Sequence, residues 1–86
     1  MDEEESRLIY SFPRGRGEEL QINLKKYNGK FYVDFRIWFK EKADAALYPT
    51  KKGISLGVDQ IPELKKGIER LSKITEKPQP ATEIHL

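Results

Sequence analysis

"KKYNGKFYVDFRIWFK", Lys25 to Lys40, decides the fold. At its centre, Asn28-Gly29 is the strongest short hairpin signal, because both residues tolerate the positive φ that a type I′ turn demands. The chain alternates on either side of the turn. Leu20, Ile22 and Leu24 point one way; Gln21, Asn23, Lys25 and Tyr27 point the other. After the turn, Phe31, Val33, Phe35, Ile37 and Phe39 share one face, and Tyr32, Asp34, Arg36, Trp38 and Lys40 share its opposite. A period of two over both arms predicts a β-hairpin with one apolar face.

Upstream, "RLIYSF" (Arg7 to Phe12) is a short apolar run ended by Pro13, which predicts an edge strand or a packed arm. "PRGRGEE" reads as a flexible basic loop. Downstream, "EKADAAL" fits a helical turn or a hairpin loop equally. "YPTKKGISL" (Tyr48 to Leu56) reads as a tight loop entering a short strand, with Ile54 and Leu56 on one face. A helix follows: Ile61, Leu64, Ile68 and Leu71 recur at three- and four-residue spacings as one stripe. Asp59 is the expected N-cap, and Pro62 falls in the first turn, where its missing N–H costs nothing. The order, strands and then one helix, is an α+β arrangement. The expected division is an acidic disordered N-terminus over 1–6, a folded domain over 7–74 and a disordered tail over 75–86.

Eighty-six residues make one domain. A chain this short buries only about 60–65% of its unfolded surface. It has no cysteine for a disulfide or thiolate-metal staple, so oligomerisation is the expected source of stability. The absence of cysteine also fits a reducing compartment. No apolar run is long enough to span a bilayer. "MDEEES" reads as neither signal peptide nor basic import sequence, and the expected location is cytoplasmic, on the nucleoid if the source is bacterial.

Net charge is only +2, but it is unevenly spread. Asp2 to Glu5 are all acidic. From Lys25 to Lys52, eight cations face three acids. Such asymmetry points to an anionic partner, with nucleic acid ahead of a membrane surface. A single-strand binder needs cations to track phosphates and flat rings on which unpaired bases stack. The central segment supplies both.

"NGKFYVDFRIWF", an irregular loop, "PTKKGISL" and a helix together resemble the positive cofactor 4 family of transcriptional coactivators. The matching residues are Gly29-Lys30, Asp34-Phe35-Arg36 with Trp38-Phe39, and Lys52 to Leu56; the likeness runs from about Leu20 to Leu71. It implies a curved four-stranded antiparallel sheet with a C-terminal helix, a homodimer, and binding of single-stranded DNA. The chain departs from the family pattern at Asn28 and Tyr48, where lysines are common, and its loop from Lys40 to Leu47 is about one residue longer. The serine-rich N-terminus of eukaryotic members is replaced by a short acidic stretch, which suggests a compact bacterial or phage-type relative.

The expected nucleic-acid contacts are therefore Lys25, Tyr27, Lys30, Arg36, Trp38, Phe39, Lys51, Lys52 and Gly53. Parity puts Trp38 outward with Arg36 and Phe39 inward, while the resemblance places a stacking ring near Phe39. Tyr27 is in the family a stacking position, and equally a cross-strand aromatic partner. Lys51 and Lys52 sit between a stiffening proline and Gly53, whose bareness lets backbone approach a ligand. The expected dimer contacts are Ile61, Leu64, Ile68 and Leu71. No cofactor or metal is expected, and no catalysis: His85 is the single histidine and lies in the tail, and no carboxylate spacing recommends a two-metal site. The expected function is a homodimeric, largely sequence-independent single-stranded DNA-binding protein in transcription or in protection and repair of exposed strands, with the transcription machinery as a further partner. RNA or melted duplex is the alternative ligand, and a pure protein-interaction module the alternative class.

Overall fold

Four antiparallel strands form one sheet in chain order: β1 (Glu5–Gly15), β2 (Glu18–Tyr27), β3 (Lys30–Phe39) and β4 (Tyr48–Gly57). A 3₁₀ turn, Val58–Gln60, leads into helix α1, Ile61–Thr75. The structure, a computed structural model, describes residues 5–43 and 45–75; of the ends expected to be disordered, 1–6 and 75–86, residues 1–4 and 76–86 lie outside the described residues, as does Asp44, while Thr75 closes helix α1.

The β2–β3 hairpin forms as the alternation requires. Asn28 (φ 53°) and Gly29 (φ 76°) take the left-handed conformation between Tyr27 and Lys30, which pair. The register sets two faces. Ile22, Phe35 and Ile54 align across three strands on one face, as do Leu24, Val33 and Leu56. Asn23, Asp34 and Ser55 align on the other, beside Gln21, Arg36 and Gly53.

Three expectations are corrected. The strand over Arg7 to Phe12 starts at Glu5 and runs through Pro13 to Gly15, so Glu5 and Ser6 belong to the sheet. Pro13 is tolerated because β1 is an edge strand, where alternate N–H groups have no neighbouring strand to bond. "PRGRGEE" is no loose loop: it is the tip of the β1–β2 hairpin, closed by Arg16 (φ 59°) and Gly17 (φ 75°). Asp59 does not cap α1 from outside. It lies inside the 3₁₀ turn, and extended Gly57 holds the preceding cap position with no side-chain cap bond. The described residues of "EKADAAL" form a loop rather than a helical turn, with Ala45 N–H donating to Lys42 O at 2.9 Å.

Burial inverts the usual two-sided sheet. The most enclosed side chains lie on the polar face: Asp34 at 2%, Asn23 at 5% and Gln21 at 8% exposure. On the apolar face only Ile37 is buried among the described residues. An apolar trough of about 400 Å³ separates sheet from helix, walled by Ile22, Leu24, Val33 and Phe35 on one side and Ile61, Leu64 and Ile68 on the other. Of the expected dimer stripe, Ile61 and Leu64 are half-buried, while Ile68 and Leu71 are more than half exposed.

Gly53 has a reason within the chain itself. A Cβ there would stand 2.4 Å from Phe35 O and 2.8 Å from Arg36 Cα, both backbone atoms. Gly53→Ala is expected to cost about 1–3 kcal/mol, as overpacking does. Gly67→Ala, whose Cβ meets nothing within 4 Å in the helix, is expected to stabilise by up to about 1 kcal/mol. Thermal melts of the two variants read both effects; equal shifts of the same sign would contradict this packing.

Candidate nucleic-acid interface

The two adjacent lysines sit on a bulge that the polar face holds in place. Arg36 pairs with Gly53 and Trp38 with Pro49, so the single residue Ile37 faces three on β4: Thr50, Lys51 and Lys52. Such a bulge would drift without fastening, and Arg36 fastens it. Its Nε and Nη2 donate to the Asp34 carboxylate at 3.0 Å each, and its Nη1 donates to Thr50 O at 3.0 Å. Thr50 Oγ1 donates to Ile37 O at 2.8 Å and accepts Lys52 N–H at 3.2 Å. Ser55 Oγ completes the carboxylate shell at 2.8 Å from Asp34 Oδ1. The backbone around Lys51 and Lys52 is thus fixed while both residues stay exposed.

Arg36 was expected to face phosphate. Three of its N–H groups are committed within the protein and its side chain is only 23% exposed. Its charge is balanced by Asp34, and its place is that of a positioning residue for the lysine bulge. Gln21 and Asn23 continue the polar row: Asn23 Nδ2 donates to Gln21 Oε1 at 3.1 Å, and Gln21 Nε2 to Glu19 Oε2 at 2.9 Å.

Rings and cations gather at both ends of β3. At the hairpin tip, Tyr27 and Phe31 are each nearly half exposed, with Lys30 exposed between them. Phe31, assigned inward by parity, is uncovered because the strand outruns the helix-facing apolar row. Lys26 Nζ stands 5.6 Å from its ring centroid. Lys25 is half-buried on the polar face, opposite Tyr32, where its charge reaches Asp34. At the far end, Phe39 meets the Tyr48 ring edge-on at 5.9 Å. A cleft of about 370 Å³ opens there, lined by Phe39, Gly17, Ala43, three cations (Arg16, Lys40 and Lys42) and one acid, Glu41. Lys40 N–H donates to Gly17 O at 3.0 Å, which ties the β1–β2 tip to this cleft. A Cβ on Gly17 would stand 2.6 Å from Lys40 O.

Trp38 does not match the expected outward platform. It is half-buried, in register with Glu19 and Pro49, and its Nε1 is enclosed without a hydrogen-bond partner. Phe39 is the ring that lines the cationic cleft. Sequence reasoning did not place Arg16, Lys42, Tyr48 or Phe31 beside the expected contacts, where the fold brings them. For Arg16 a signal existed, since a residue before glycine between two alternating runs can make a two-residue turn. Among the described residues no group of His, Cys, Asp or Glu could hold a metal ion, and no helix is long and apolar enough to cross a membrane.

A family model described as Transcriptional Coactivator p15 (PC4) matches residues 15–67, more than half of the chain, which therefore belongs to that family. The chain is 36% identical over 53 residues to the RNA polymerase II transcriptional coactivator KIWI of Arabidopsis thaliana. That match covers 62% of this chain and 48% of the relative, so the chain spans about half the length of the curated relative it matches. Among solved structures, BPSL1147, a PC4 homolog from Burkholderia pseudomallei, superposes with a TM-score of 0.70 at 24% identity, covering 79% of this chain and 98% of that one. The bacteriophage T5 homolog of PC4, implicated in recombination-dependent DNA replication, superposes at 0.63 with 19% identity over 85% and 81%. The shared fold is the four-stranded antiparallel sheet followed by one helix.

Burial pushes the Asp34 carboxyl up. The hydrogen bonds from Arg36 and Ser55, with the charges of Arg36 and Lys25, outweigh that and hold it below its ordinary 3.8. A lowered folded-state value stabilises fully above the unfolded value and is lost as pH falls through the folded one. Asp34→Asn is expected to cost about 2–4 kcal/mol at neutral pH, a buried pair discounted for the partial exposure of Arg36. The gap between wild type and variant should close as pH drops below 3.8. Melts across that range check it, and a gap that persists unchanged in acid would refute an ionised Asp34.

Proposed function

We propose that this family member is a homodimeric, largely sequence-independent single-stranded DNA-binding protein, serving transcription or the protection and repair of exposed strands. The observation that carries the reading is the gathering of rings with cations at both ends of β3: exposed Tyr27 and Phe31 with Lys26 and Lys30, and half-buried Phe39 with Arg16, Lys40 and Lys42 against the one acid Glu41. The fixed Lys51-Lys52 bulge adds charge beside the Phe39 end. Flat rings accept any base, and cations accept the phosphates between them, so the arrangement suits a strand without regard to sequence. Ten residues of β3 span about 30 Å, room for several nucleotides between the two aromatic ends.

Dimerisation follows from the apolar face. One buried hydrophobic residue among those described does not make a core for a stable domain, and the trough with Ile68, Leu71 and Ile74 offers the surface a second copy would cover. Coactivator membership and the T5 homolog's implication in DNA replication are both consistent with a protein that handles melted DNA.

Titration of a labelled oligo-dT, with duplex and RNA competitors, tests the ligand. Affinity for oligo-dT is expected to exceed that for duplex and to fall linearly on a log–log salt plot, by a slope of about −0.7 per neutralised phosphate. Lys51→Ala with Lys52→Ala should flatten that slope; salt-independent binding, or preference for duplex, would refute the reading. Sedimentation at micromolar concentration is expected to show a dimer, which Leu71→Lys weakens together with the fold; a folded monomer would argue against it.

A further inference from the structure

We infer that Phe31 forms a second base-stacking subsite, on the face of the β2–β3 hairpin tip opposite Tyr27, so that a bound strand wraps around the tip. The inference rests on the single-stranded DNA reading above and names a contact that reading does not need.

The ring's setting is unlike that of a core residue. Phe31 shares parity with Val33, Phe35 and Ile37, yet it is 46% exposed and takes no part in the trough under the helix. It borders instead a separate hollow of about 230 Å³ lined by Arg7, Leu24, Lys25, Lys26, Ser6 and Glu5. Three cations against one acid surround one exposed ring. A protein-binding patch is depleted of charge at its centre. This hollow has charge on most of its wall, which favours a polyanion carrying planar groups. The cation already over the ring, Lys26 Nζ at 5.6 Å, shows that a ring face is approachable and that positive charge stands within reach of a stacked base.

Tyr27 and Phe31 lie on opposite faces because Tyr27 pairs with Lys30, and Phe31 is the next residue along β3. The two-residue turn leaves the tip narrow, with left-handed Asn28 and Gly29 at its apex. A strand stacked on Tyr27 can therefore pass the apex, with Lys30 beside it, and present a further base to Phe31. The hollow, through Arg7 and Lys25, lies toward β1, so the path runs on to the sheet edge.

The test compares the full-length wild type with Phe31→Leu and Phe31→Tyr, using labelled oligo-dT of about 16 nucleotides and an abasic strand of equal length and charge. Phe31→Leu is expected to weaken oligo-dT binding at least about 5-fold, the lower end of one base-aromatic stack, with its salt slope unchanged. Phe31→Tyr should bind as the wild type does. The abasic strand should not tell the three apart, which a merely structural role for the ring would not produce. Phe31→Trp adds a second tryptophan to a chain that has one, and its extra emission should be quenched by oligo-dT; this holds even if Phe31→Leu folds poorly. Undiminished binding by folded Phe31→Leu, absence of the extra quenching, or a change in sedimentation without a change in affinity would overturn the subsite. Failure of the wild type to bind oligo-dT would instead overturn the single-strand reading itself.

Discussion

The bidentate contact between Arg36 and buried Asp34 is the interaction on which the working parts of this sheet depend. It lies within one strand, two residues apart, so it costs little chain entropy to form. Its value comes from what it joins. Asp34 takes the Ser55 hydroxyl from β4, and Arg36 takes the Thr50 carbonyl, so one ion pair clamps β4 at two points on either side of Gly53. A charged pair in such a place is poor evidence of net stability, because desolvation offsets much of its attraction. It is better understood as a fixing device: it holds a three-against-one bulge in a single geometry and keeps two neighbouring lysines on rigid backbone.

That device explains why the polar face is the enclosed one. Asp34, Asn23 and Gln21 are short or mid-length side chains set in a row and hydrogen-bonded along β2 and across to Ser55 on β4. The apolar face cannot reach the same burial from one chain. A single fifteen-residue helix meets the sheet only across a trough, and its outer stripe stays exposed. The two faces thus answer to different constraints. One holds the lysine bulge in place within a monomer, and the other presents apolar surface that a monomer leaves open.

Much of this was legible in the residues. Alternation around Asn28-Gly29 specified a hairpin, its register and its apolar face, because period and turn type are local properties. The helix stripe was equally plain. The likeness to the coactivator family was carried by "KKGISL" after that hairpin, and its two lysines are exposed in the fold. Trp38 and Phe39 were not resolved, because parity assumes a regular ladder and neither ring's surroundings are local. Trp38 is half-buried beside Pro49 at the foot of the bulge, with its Nε1 enclosed, and Phe39 borders a cleft whose cations come from β1–β2 and the loop after β3.

The sequence by itself determined where strands and helix begin to form, which side chains share a face, and that positive charge gathers mid-chain with aromatic rings. Tertiary structure decided which of those side chains are free to act. Arg36 is a cation on paper and a clamp in the fold, since Asp34, Ser55 and the Thr50 carbonyl meet only when β3 and β4 pair. Arg16 is a loop residue on paper and part of a cationic cleft in the fold, since Gly17 bonds to Lys40 across the sheet. The physical reason is the same in each case. Charge and shape are carried by the residue, but exposure, pairing and proximity are properties of the contacts between distant segments, and those exist only once the strands are in register.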